Sequence, residues 1–89
     1  MTEQYLLSQN EILDVRKSFN VSANDIAEYI GSTRQAINNY ESGRSNLPKT
    51  VQICITLYFQ KLANENEFDD YKLSQYQKDI LKKVKSFKF

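Results

Sequence analysis

The chain has 89 residues, a formal net charge of +1, 40% hydrophobic and 26% charged residues, which suits one small globular domain and excludes a strongly charged disordered chain. The mean hydropathy is −0.61, and no apolar run approaches the roughly 20 residues of a membrane helix. One cysteine, Cys54, and no histidine exclude an internal disulfide, a Cys/His zinc site and histidine-based catalysis. No cofactor is expected. The N-terminal MTEQYLLSQNE lacks the basic start and apolar block of a signal peptide, so a cytoplasmic location is expected.

The first helix is announced by Ser8-Gln9-Asn10-Glu11, which reads as a capping box, with Leu7 and Ile12 as its hydrophobic staple. It is expected to run to about Ser18, with Ile12, either Val15 or Arg16, and Phe19 turned inward, and Asn20 in the exit turn. A second helix, over about 23–30, is capped by Ser22 with Asp25 three residues on, and stapled by Val21 and Ile26. Ile26, Ala27 and Ile30 mark its buried face, and Gly31 stands where a left-handed residue ends a helix. A third helix follows at once, capped by Thr33 or Ser32 and covering about 34–42. Two short helices joined by a glycine turn are a helix-turn-helix arrangement.

The loop 43–48 ends in the only proline, Pro48, which suits the first turn of a fourth helix. VQICITLYF has strand-like composition, but Val51, Cys54, Ile55, Tyr58, Phe59 and Leu62 fall at helical spacing. Cys54 is thereby expected to be a small buried side chain. Ile53 and Leu57 fall on another face, which something must cover. Residues 64–72 read as an acidic connector in which Asp69-Asp70 is solvated linker. Ser74-Gln75-Tyr76-Gln77 is a further capping box. The last helix is expected from about Gln75 to near Ser86, with Leu73, Tyr76, Ile80, Val84 and Phe87 as its apolar stripe. The fold class is all-α, with five helices. Residues 1–63 form one unit, and residues 64–89 add the connector and an amphipathic helix for packing or dimerisation.

The charge is unevenly spread. Residues 1–31 carry Glu3, Glu11, Asp14, Asp25 and Glu28 against Arg16 and Lys17, whereas residues 32–63 carry Arg34, Arg44, Lys49 and Lys61 against Glu41 alone. The basic half begins where the third helix begins. That helix, within GSTRQAINNYESG, offers arginine, glutamine and asparagine rather than the lysine and glutamate of an ordinary solvated face.

Residues 16 to about 62 resemble the phage Cro and repressor type of helix-turn-helix domain, the XRE family. The resemblance rests on Ala27 where two helices touch and on Gly31 in the turn. Ile26, Ile30, Ile37 and Tyr40 stand in the core slots, Glu41-Ser42-Gly43-Arg44 ends the third helix, and Pro48 opens the fourth. It implies a five-helix, lambda-repressor-like fold with an added C-terminal helix, and a partly buried structural ion pair between Arg16 and Glu41.

It also implies that the third helix enters the major groove of double-stranded DNA. Arginine forks onto guanine, and glutamine or asparagine onto adenine. Arg34, Gln35, Asn38 and Asn39 are then the expected base readers, with Thr33 touching a thymine methyl or a phosphate. Backbone contacts are expected from Ser22, Ala23 and Asn24 at the start of the second helix. Ser42, Arg44, Ser45, Asn46 and Lys49, in and beside the following loop, complete the set or are simply solvated. Relatives commonly carry glutamine at the position of Ala23, which puts that brace in doubt here.

The implied function is a sequence-specific transcriptional regulator, a repressor acting as a homodimer on a palindromic operator in a phage, mobile-element or toxin–antitoxin circuit. The fourth and fifth helices form the dimer interface, pack on each other within one chain, or do both. The rival reading is a protein-interaction module, an antitoxin or inhibitor, gripping a partner at the C-terminal helix through Tyr58, Phe59, Tyr71, Tyr76, Phe87 and Phe89. An enzyme is not expected, because histidine, a glycine-rich phosphate loop and a credible carboxylate pair are all missing. The lysines of 78–88 read as a solvated helix face and tail, with DNA backbone contact as the alternative.

Overall fold

Helix ends in this chain coincide with residues that can satisfy loose main-chain groups. A computed structural model describes residues 5–66 and 70–88, without the side chain of Asp70. Five α-helices follow in order: α1 Ile12–Ser18, α2 Ala23–Ile30, α3 Arg34–Ser42, α4 Lys49–Glu65 and α5 Gln75–Ser86, with a 3-10 turn at Asp70–Lys72. Among the described residues there is no strand. Glu3, Asp69 and Phe89 lie outside them, as does the side chain of Asp70, so the reading of Asp69-Asp70 as linker lies outside the described residues too.

Ser22 and Ser74 both close complete capping boxes, with Asp25 and Gln77 respectively. The Ser8 box forms only half. Glu11 accepts from the Ser8 amide at 2.9 Å, but the Glu11 amide turns to the Ser8 carbonyl at 3.0 Å. A tight turn therefore precedes α1, and the regular helix starts at Ile12. Gly31 and Gly43 end α2 and α3 with φ of 71° and 80°, the left-handed region where a Cβ is strained. Asn20 takes the same region, φ 57°, in the turn between α1 and α2, as asparagine tolerates.

One core joins all five helices. Leu7, Ile12, Val15, Ile26, Ile37, Ile55 and Val84 are fully buried in it, and Ala27 is nearly so where α2 is crossed. Each such aliphatic side chain contributes about 1.5–3 kcal/mol by leaving water. Ile30 and Tyr40 are half-buried at its edge. α5 packs on α4 and, more lightly, on α1. Gln60 of α4 donates to the Val84 and Phe87 carbonyls, and Gln77 of α5 donates to the Ser18 carbonyl at 2.7 Å.

Two expectations from periodicity are corrected. Cys54 is exposed rather than buried. The fully buried side of α4 is Ile55, Thr56, Phe59 and Ala63, and Val51, Tyr58 and Leu62 are partly buried against the core, so Cys54 is the member of the spaced set that falls outside it. Thr56 and Gln52, which an apolar count ignores, tie this side of α4 to the N-terminal segment. Thr56 Oγ1 accepts from the Leu7 amide at 3.0 Å, and Gln52 Nε2 donates to the Leu7 carbonyl at 2.9 Å. Tyr76 is 41% exposed instead of joining the α5 stripe. Phe59 and Phe87, offered above as part of a partner surface, are core residues at 2% and 3% exposure.

Candidate nucleic-acid interface

α3 is nine residues long, and its faces differ sharply in chemistry. Ile37 is fully buried, and Ala36, Tyr40 and Glu41 are half-buried towards the body of the molecule. Residues at i, i+1, i+4 and i+5 share the other face of a helix, which gives Arg34, Gln35, Asn38 and Asn39. Thr33, Arg34 and Gln35 are exposed, and Asn38 and Asn39 are half-buried. Gln35 donates to Asn39 Oδ1 at 3.1 Å, which aligns two amides along the face and leaves the Asn39 N–H groups directed away from that bond. The hydroxyl of Thr33 is used as the helix cap, accepting from the Ala36 amide at 3.1 Å.

The helix is anchored at its far end by charge. Arg16 Nη2 donates to Glu41 Oε1 at 3.0 Å, and Arg16 Nε donates to the other carboxylate oxygen. The side chains are only 16% and 6% exposed. The Glu41 hydrogen bond raises the already high pKa of Arg16, against the opposing effect of burial. This fork ties α1 to α3 across 25 residues of sequence.

Beside α3 lies the N-terminus of α2. Arg34 and Asn38 join Arg16, Ser22, Ala23 and Asn24 around a shallow recess of about 330 Å³. The small side chain at Ala23 is buried, so this residue offers the recess its main-chain amide and no side-chain group. The Ser22 hydroxyl is spent on the Asp25 amide, and Asn24 Nδ2 donates to Glu28 at 3.2 Å. The positive end of the α2 dipole still points into the recess.

On the other flank the loop after α3 is folded back on the helix end. The amides of Arg44 and Ser45 both donate to the Asn39 carbonyl, at 3.0 and 3.2 Å, and the Ser42 hydroxyl donates there too. Arg44, Asn46 and Lys49 are exposed, Ser45 is half-buried, and Lys49 sits in the first turn of α4. Ser42 is thereby committed to its own helix as a donor. One residue of this flank has no local sequence signal. Gln9 Nε2 donates to the Tyr40 carbonyl at 2.9 Å and to the Ser45 carbonyl at 2.7 Å, from more than thirty residues away.

Residues 12–51 match a family model described as helix-turn-helix. They are a helix-turn-helix domain of the Cro/repressor type. No curated protein and no solved structure matches the chain. The matched span runs from the first residue of α1 into the first turn of α4, so it contains α2, the turn at Gly31, α3 and the Arg16–Glu41 fork. Proteins with such a domain are typically non-enzymatic DNA-binding regulators, and the match supports a DNA-binding regulator in that general sense. Among the described residues no helix is long and apolar enough to cross a membrane.

Proposed function

We propose that the protein is a sequence-specific transcriptional repressor that binds a palindromic operator as a homodimer. The observation that carries this reading is the single polar face of α3, Arg34–Gln35–Asn38–Asn39, held rigidly by Ile37 beneath it and by the Glu41–Arg16 fork at its end. Laid in the major groove, Arg34 meets guanine N7 and O6, and Gln35, Asn38 and Asn39 meet adenine edges, each good pair giving about 1–3 kcal/mol of discrimination. The Thr33 methyl touches a thymine methyl. The recess at Ser22, Ala23 and Asn24 holds a phosphate on one flank, and Arg44, Ser45, Asn46 and Lys49 hold phosphates on the other, whereas the Ser42 hydroxyl is spent on the Asn39 carbonyl.

One such domain reads few base pairs, and two-fold pairing is the usual route to affinity. Residues 1–63 are the DNA-binding unit, and residues 64–89 brace it through α5. The outer side of α4 supplies dimer material: residues 50–60 contain no charge at all, with Thr50 and Cys54 exposed and Ile53 and Leu57 half-buried. A two-fold contact sets a surface against itself, so a neutral patch avoids like-charge repulsion. A repressor of this kind works on the nucleoid in the cytoplasm.

Arg34 and Gln35 are exposed, so replacing them leaves the fold intact. Arg34→Ala with Gln35→Ala is expected to reduce operator binding to the level of random duplex. Unchanged operator binding in that variant would defeat the reading and turn attention to a protein partner at exposed Tyr71 and Tyr76.

A further inference from the structure

We infer that Gln9 is a positioning residue for DNA phosphate contact, acting through the loop after α3; this rests on the DNA-binding reading above. An amide nitrogen has two hydrogens, and Gln9 places both on carbonyls of the interface, Tyr40 in the last turn of α3 and Ser45 in the loop. The loop's other main-chain hydrogen bonds run to α3, through the Arg44 and Ser45 amides on the Asn39 carbonyl, and Leu47 at its far end packs against the core. Those bonds let the loop move with the helix end. Gln9 fixes it from the opposite side.

Gln9 is itself well anchored. Two residues earlier, both main-chain groups of Leu7 are held by Thr56 and Gln52 of α4, and the Ser8 amide is held by Glu11. The segment 7–9 thus works as a strap from α4, across the start of α1, to the loop that presents Arg44 and Asn46. A long side chain in an exposed loop loses conformational freedom when it meets a phosphate. Fixing the main chain beneath Arg44 lowers that loss before DNA arrives. Phosphate contacts position without reading sequence, so the effect of Gln9 falls on affinity and salt dependence and leaves discrimination between sites alone.

The test is fluorescence-anisotropy titration of an operator duplex and a mutated duplex at several salt concentrations. Wild type is compared with Gln9→Met, which keeps length and apolar bulk but has no donor. Gln9→Asn keeps the amide one methylene short and covers the case in which the methionine variant folds poorly. Both are expected to bind each duplex roughly tenfold more weakly, with a log–log salt slope shallower by about one and an unchanged ratio between the duplexes. A merely structural Gln9 would lower the melting temperature and leave the slope where it was, and that result overturns the inference. So does a collapsed ratio at constant slope, which would mean that Gln9 aims α3 itself. If wild type distinguishes no duplex from any other, the DNA-reading proposal fails, and this inference fails with it.

Discussion

At the scale of single residues, two ion pairs behave differently because they differ in burial. Arg16 and Glu41 are almost out of water, so removing either partner strands a charge. Glu41→Ala is expected to cost about 3 kcal/mol in urea unfolding. Adding Arg16→Met to it is expected to recover part of that loss, and a strictly additive double variant would contradict the account. Glu11 and Lys83 are more exposed, at 29% and 27%, and join α1 to α5 at 2.8 Å. Burial pushes the Glu11 carboxyl up, but hydrogen bonds from Lys83 and Ser8 outweigh it and hold the pKa below the ordinary 4.5. A group whose pKa is depressed on folding contributes stability that is present above its unfolded pKa and lost as pH falls through the folded one. The stability gap between wild type and Glu11→Gln is therefore expected at neutral pH and closes below about pH 4.5. Urea melts from pH 7 to pH 3 measure it, and a gap that widens on acidification would be the contrary result.

Legibility at this scale follows the range of the interaction. Caps act over three residues, so Ser22 and Ser74 could be read directly, as could the glycines that bear positive φ. Gln9 could not be read, because its two carbonyls come from a helix end and a loop that meet only after folding. Cys54 was misassigned for a related reason. The spacing in VQICITLYF places Val51, Ile55, Tyr58, Phe59 and Leu62 in or against the core, but it does not show the buried Thr56, whose hydroxyl and the Gln52 amide bond to Leu7 forty-nine and forty-five residues away while Cys54 stays exposed.

At the scale of elements, the recognition helix is short and would not persist alone. Ile37 is its one fully buried side chain. Ile37→Ala is expected to cost about 2–5 kcal/mol and to loosen α3 before the rest of the domain. Hydrogen exchange would locate the loss, and uniform loss of protection would argue against a separately labile α3. α5 has the opposite role. Its Ile80, Val84 and Phe87 cover α4 on one side. The apolar excess of α4 is legible as a need for cover, and α5 supplies cover on one side within the chain. For the uncovered side, Cys54→Glu puts a charge on an exposed position of the neutral patch. It is expected to shift a dimer to monomer in analytical ultracentrifugation with the melting temperature little changed. An unchanged dimer would place the interface elsewhere.

At the scale of the whole molecule, the near-zero net charge hides a functional asymmetry. The cations of residues 32–63 fall in α3, the loop after it and α4, while the first two helices carry most of the N-terminal acid. The central claim is that the α3 face reads bases. The most direct measurement is selection of binding sites from a random DNA library with purified protein. The account predicts a two-fold-symmetric motif rich in guanine and adenine steps, with half-sites about one helical turn apart. Failure to enrich any motif, with only weak binding that vanishes at physiological salt, would contradict it.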